Sequence, residues 1–194
     1  MVCGMEGNMK ILFPSSFYAQ YKAPNADELI EVINSYEDKL VNNSKFKWGQ
    51  MCSSDKIPLK FESFQSLLQP SIDLFADDLG LTFNYTLYNP WINLYKEGDF
   101  QEIHDHVAQD FACVFFANDG ENFAQFYFSD RNSLALTRGA KTLLKYKNNH
   151  PLKFDVGDII FFPSHVLHGV TPHRSDTIRK TLAFNFDVDH YYKP

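Results

Sequence analysis

Cysteine is scarce in this chain, and the scarcity narrows its class. The 194 residues hold three cysteines. Cys3, Cys52 and Cys113 are odd in number and widely spaced. That is no disulfide framework, and it suits a reducing compartment. Cys113 lies in the apolar run from Phe111 to Phe116, where a thiol packs as a small core residue. Long hydrophobic runs are missing as well, and none approaches the length that crosses a bilayer. The first residues show no basic start followed by an apolar block, so no signal peptide is expected. The expected location is cytoplasmic, with no membrane partner; Met5 or Met9 would serve as a start as well as Met1. A Lys/Arg stripe is also lacking, and the net charge is −6, so no nucleic-acid groove is expected. There is no internal repeat, no linker and no low-complexity segment.

Aromatic residues are plentiful, with 19 Phe and 10 Tyr. They favour pleated, half-buried surfaces, so strands should dominate the second half. The chain length fits one domain. Lys10 to Phe13 reads as a short strand ending at Pro14. Asn25 is placed to cap a helix whose first turn holds Asp27 and Glu28. Leu29, Ile30, Val32, Ile33 and Leu40 carry helical spacing to about Asn42. Lys45 to Leu59 reads as loop with some extended structure. Phe61 to Leu79 repeats the helical pattern, with Pro70 predicting a kink or break.

From Leu81 the period changes. Phe83–Leu87, Trp91–Lys96, Phe100–His106, Phe111–Ala117 and Phe123–Phe128 read as strands. Lys141–Tyr146, Ile159–Phe162, Val166–Val170 and Thr181–Phe186 continue the series, with several turn-rich breaks. Many short strands argue for a sandwich or barrel. The expected fold is α+β: a jelly-roll barrel over about 81–188, buttressed by helices over about 25–79, in a single domain spanning 1–194.

Three histidines and an arginine stand out. His104 and His106, two apart on the expected strand, share a face, and Asp105 points the other way. Glu102 shares the histidine face and is a candidate further ligand or outer partner. His168 follows the buried run Ile159–Phe162 and the break at Pro163-Ser164, just before Gly169. A third imidazole brought alongside would complete one face of a metal's coordination shell and leave the other face open. His165 would face away from His168. His150, His173 and His190 read as surface residues. Arg179 begins the last strong strand, and Thr181 shares its face. A guanidinium inside a barrel is costly unless it meets an anion. It would meet either a carboxylate ligand or an internal acid such as Asp187.

These residues resemble a known family, the 2-oxoglutarate-Fe(II) oxygenases of the small double-stranded β-helix type. The resemblance rests on Trp91-Ile-Asn93, Gly98-Asp99-Phe100 and His104-Asp105-His106. It extends to Phe126-Tyr127-Phe128-Ser129-Asp130-Arg131, which lacks the family's turn proline. It closes with Gly157-Asp158, Pro163-Ser164, His168-Gly169-Val170, Pro172, Arg179 and Phe184-Asn185. The resemblance implies a double-stranded β-helix in which His104, His106 and His168 bind Fe(II). It implies that 2-oxoglutarate chelates the metal and that Arg179, with Thr181, holds its far carboxylate. O2 is the other cosubstrate, and a small-molecule or peptide substrate is hydroxylated with release of succinate and CO2. Asn93 and Tyr127 are candidate lining residues of the cosubstrate pocket. One departure is plain: His106 stands where such families usually place a carboxylate, with Glu102 and Asp110 the nearest substitutes. The rival readings are a cupin-type three-histidine dioxygenase or isomerase that does not use 2-oxoglutarate, and a ligand-binding barrel without turnover. In the cupin reading Arg179 has no cosubstrate to hold. The loop from Ser129 to Lys141, with Arg131 and Arg138, is the expected substrate contact. Oligomeric state is open, a homodimer included.

Overall fold

Three layers stack in order: helices, a large sheet and a small sheet. The computed structural model describes residues 16–36, 52–60, 62, 64–88, 90–106, 108–132 and 135–192. The strand expected at 10–13, the tail of the first helix beyond 36 and the first part of the loop expected from 45 lie outside them. The elements are β1 (Ala19–Lys22), α1 (Ala26–Asn34), β2 (Asp55–Pro58), α2 (Gln65–Leu79), β3 (Thr82–Leu87), β4 (Trp91–Tyr95) and β5 (Gln101–His104). They continue with β6 (Phe111–Phe116), β7 (Phe126–Ser129), α3 (Arg138–Leu143), β8 (Asn149–Pro151), β9 (Asp158–Pro163), β10 (His168–Val170) and β11 (Arg179–Tyr192). The large antiparallel sheet runs β1-β9-β6-β11-β4-β2, with β3 also paired to β11. The small sheet runs β5-β10-β7-β8.

Alternation along the strands gives each layer its own core. In β9, Ile159 and Phe161 face the helices, while Ile160 and Phe162 face the small sheet. The helix side packs Leu29 and Ile33 of α1 and Leu68, Ile72 and Phe75 of α2. The Phe75 ring stacks on Phe161 with centroids 4.8 Å apart. Between the sheets lie Phe116, Phe126, Phe128, Phe162 and Val170. Gly157 turns the chain into β9 at φ 87°, and an added Cβ there would stand 2.9 Å from Ala26 Cβ. The position requires glycine on both counts.

Several expectations are corrected. Lys141–Tyr146 is not a strand. α3 covers its start, because the Thr137 side chain accepts from the Ala140 N–H at 3.2 Å and caps a helical turn. α2 runs unbroken through Pro70. β1 and β8 were not anticipated: β1 is a polar sheet edge and β8 spans only three residues. β5 stops at His104, short of His106. His173 is buried rather than superficial; its Nδ1 accepts from Ala124 N–H at 3.0 Å and its Nε2 lies 2.8 Å from the Thr177 carbonyl. Among the described residues no helix is long and apolar enough to cross a membrane.

Candidate metal centre

His104 ends β5 and His168 begins β10, and the two residues face each other in register across the small sheet. Their ring centroids are 4.3 Å apart. His106 lies two residues past the end of β5, so strand parity is not what delivers it. Its backbone N–H donates to the Ser164 carbonyl at 2.8 Å, which ties the loop after β5 to the turn after β9. The His106 ring stands 5.1 Å from His104 and 5.2 Å from His168. One ligand atom from each histidine lies within 4.8 Å of the others. A single metal ion can therefore be reached by all three.

The tautomers suit that task. His104 Nδ1 is 2.8 Å from the Glu102 carbonyl, and His168 Nδ1 is 3.0 Å from the Val166 carbonyl. A carbonyl only accepts, so in the neutral ring each Nδ1 carries the proton and Nε2 keeps its lone pair. At His106 the neighbour is the Asn185 amide, with Nδ2 3.2 Å from Nδ1. Asn185 Oδ1 is buried and has no hydrogen-bond partner among the described residues. A half-turn of that amide exchanges the long 3.5 Å donation from Nδ2 to Gln109 Oε1 for acceptance by Oδ1 from the His106 Nδ1–H, and leaves the third Nε2 lone pair free for a metal.

Burial lowers the proton affinity of all three imidazoles. His106 is pushed down to about 4, with His104 and Lys56 adding to the effect. His104 is lowered, and His168 falls well below the ordinary value. Neutral imidazole is the form that binds metal. No carboxylate joins the cluster among the described residues. The Asp105 side chain pairs with Arg131. Asp110 accepts from the Val188 N–H at 2.9 Å. Glu102 is exposed and lends the site its carbonyl.

The same cavity is walled by alternate residues of β4 and β11: Trp91, Asn93 and Tyr95, and Arg179, Thr181 and Asn185. Arg179 is 1 % exposed. Its Nε and both Nη atoms have no hydrogen-bond partner among the described residues. The guanidinium carbon lies 5.0 Å from the Tyr95 ring centre and 5.8 Å from that of Phe116. Burial presses its proton affinity down, with Tyr95 pulling partly the other way. Asp187, the internal acid weighed against an external anion, bonds instead to the Tyr88 hydroxyl and the Asp110 N–H. Asn93 Nδ2 donates to Thr181 Oγ1 at 3.3 Å, and Trp91 Nε1 donates to Asn93 Oδ1 at 3.1 Å.

Tyr127 does not join this wall. β7 turns Phe126 and Phe128 inward and Tyr127 to the other face, where its hydroxyl lies against Gly169. His165 is exposed and outside the cluster. Sequence reasoning missed Lys56, Tyr95, Gln101 and Asn185 as cavity residues. Tyr95 and Asn185 share strand parity with Asn93 and Arg179, which was the available signal.

A double-stranded β-helix with a metal-competent cluster at its strand ends is a fold of metal-dependent oxygenases. The sequence profile described as "Putative 2OG-Fe(II) oxygenase" matches residues 89–185, and the chain belongs to that family. It is a 2-oxoglutarate-dependent oxygenase that uses Fe(II), 2-oxoglutarate and O2. No curated protein matches the chain in sequence. Solved structures share the fold at low identity. A prolyl-4-hydroxylase from Pseudomonas putida is 16% identical with a TM-score of 0.60, over 89% of this chain and 93% of that one. SnoN, a non-haem alpha-ketoglutarate-dependent epimerase of nogalamycin biosynthesis, is 13% identical with a TM-score of 0.67, over 93% and 81%. HygX from Streptomyces hygroscopicus, solved with nickel, 2-oxoglutarate and hygromycin B, is 10% identical with a TM-score of 0.62, over 89% and 83%.

Proposed function

We propose that His104, His106 and His168 hold the iron and that Arg179, assisted by Thr181, holds the far carboxylate of 2-oxoglutarate. The observation that carries the reading is the buried Arg179 guanidinium, with no hydrogen-bond partner among the described residues, in the cavity that also contains the histidines. A charge so placed calls for an anion, and a carboxylate meets the guanidinium fork with two parallel hydrogen bonds. When bound, iron and 2-oxoglutarate together supply oxidation of a substrate C–H bond by O2, with release of succinate and CO2.

The chain's residues do the positioning. The Glu102 and Val166 carbonyls and the Asn185 amide set the direction of each imidazole. The Trp91–Asn93–Thr181 hydrogen-bond chain holds the threonine hydroxyl beside the arginine. Phe126, Phe162 and Val170 give the cavity an apolar wall, which disfavours water beside the oxidising centre. Three neutral imidazoles leave the dication's charge undiminished, so the site binds the dianionic cosubstrate more strongly than a carboxylate-containing set would. The substrate is a small molecule or peptide, hydroxylation is the outcome, and the unpaired thiols Cys52 and Cys113 accord with a cytoplasmic location.

The test is an anaerobic titration with Fe(II) and then 2-oxoglutarate, following the visible charge-transfer absorption of the chelate. A band in the parent protein that is lost in His106→Ala, and that needs far more 2-oxoglutarate in Arg179→Ala, is the expected result. Tight iron binding with no band on adding 2-oxoglutarate would overturn the assignment.

A further inference from the structure

A second cavity, of about 410 Å³, opens beside the histidine cluster. Its wall includes Phe17, Tyr18, Phe128, Arg131, Lys147 and His150. Its position follows from a chain of ring contacts. Arg179 lies against Phe116, Phe116 against Phe126, and Phe126 against both His168 and Phe128. Phe128 in turn stacks on Tyr18 at 5.2 Å. Phe126 and Phe128 therefore link His168 to the cavity wall. Val166, whose carbonyl orients His168, lines it. Arg131 on its rim pairs with Asp105, the residue between His104 and His106.

Two further features give the cavity a chemical preference. Phe17 and Tyr18 are 38% and 39% exposed, so flat apolar surface is available beside Phe128. The stretch from Asp130 to Asn148, both ends of which line the cavity, has two arginines and three lysines against one aspartate. It carries a net charge of +4 in a chain whose total is −6. Asp130, the acid in it, is engaged by the Tyr146 hydroxyl and the Asn132 N–H. The cavity volume is that of a small-molecule site. Arg131 and Lys147 of this stretch line the cavity, and an excess of positive charge near a cavity raises the local concentration and arrival rate of anions.

We infer that this cavity seats the primary substrate, a small molecule with a planar apolar body and a carboxylate or phosphate group. The ring lies along Tyr18 and Phe128, and the anion faces Lys147 and the basic rim. The inference rests on the metal-centre reading above, which sets the place of oxidation on the adjoining side of Phe128 and Val166.

Calorimetric titrations with benzoate, phenyl phosphate, inorganic phosphate and benzyl alcohol test it. They are run on the metal-free protein and on the anaerobic Fe(II)–2-oxoglutarate complex. The two ring anions should bind more tightly than the ringless anion or the uncharged ring. Lys147→Glu should weaken both ring anions by about tenfold. Tyr18→Ala should weaken them while sparing inorganic phosphate. Both residues are exposed, so both variants should fold, and their charge-transfer titration with 2-oxoglutarate should match the parent's. Tighter binding of phenyl phosphate than benzoate, or the reverse, identifies the anionic group. Equal binding of all four probes, or equal binding by parent and variants, would overturn the inference and leave the rim a solvated face. A missing charge-transfer band in the parent would strike the metal-centre reading instead, with the metal-free titrations still deciding the cavity.

Discussion

Arg179 is a standing cost to the ligand-free fold. A buried charge without a hydrogen-bonded partner is destabilising, and an apolar side chain of similar length removes the penalty. Arg179→Met should therefore melt at a higher temperature than the parent when no ligand is present. With metal and 2-oxoglutarate added, the order should reverse, because the parent alone gains the carboxylate pair. Thermal scans with and without ligand check both halves; a lower ligand-free Tm for the variant would mean the guanidinium is already satisfied. The histidines make a pH prediction. Unfolded, each imidazole takes up its proton near pH 6.5; folded, His106 does so at about 4, and His104 and His168 are also lowered. Between those values the unfolded chain binds protons that the fold does not. Stability is thus intact above about pH 6.5 and is lost as pH falls toward about 4. Urea midpoints of the metal-free protein should follow that slope, and His106→Leu should flatten part of it. Asn185→Leu, which removes the amide beside His106, should weaken metal binding roughly tenfold or more. The three histidines and Arg179 were legible because their residue types are rare in apolar surroundings. Lys56 was not, because placing it requires the register of β2 on β4; Asn185 had only its parity with Arg179 on β11 to mark it.

At the scale of elements, Phe75 is the largest of the α2 side chains that dock the helix on the large sheet, beside Leu68 and Ile72. Phe75 meets Phe161, Phe111 and Phe186 at centroid distances of 4.8, 5.1 and 6.4 Å. Phe75→Ala should cost about 3–5 kcal/mol and loosen the helix layer, measured as a lower urea midpoint and faster amide exchange in α2. The site on the sheet's other face should keep its 2-oxoglutarate affinity wherever the variant remains folded. Strands buried in the large sheet were readable because their apolar residues run without a break, as in β6 and β9. Tertiary context decided the others. β1 exists because β9 offers it an edge, with Ala19 opposite Phe161. Lys141–Tyr146 has residues acceptable to a strand, yet a threonine cap and a turn at Lys145, with φ 49°, settle it as a helical turn. His106 reaches the cluster although β5 ends too soon, because a loop hydrogen bond to Ser164 replaces the pleat.

At the scale of the molecule, the candidate metal cluster borders the inter-sheet core. His168 packs on Phe126 and Phe162 at 5.6 and 4.8 Å, yet both cores are built of apolar side chains that meet one another without a metal. Removing metal with a chelator should lower the melting temperature only by the lost binding energy and leave a cooperative transition with unchanged far-ultraviolet circular dichroism. Collapse of the spectrum on chelation would make the metal structural.

β11 has a further consequence, one of timing. It lies inside the large sheet, with β6 on one side and β4 and β3 on the other, and it is the last of these strands to be synthesised. Until it arrives, β6 and β4 have an unfilled slot between them, two open edges that invite pairing with other chains. The contacts that close the sheet join residues far apart in sequence, so folding should be slow and should finish after translation of the domain rather than during it. Ribosome-bound chains halted before Arg179 should accordingly remain protease-sensitive through β4, β6 and β9, and should recruit chaperones that release only when β11 has slotted in.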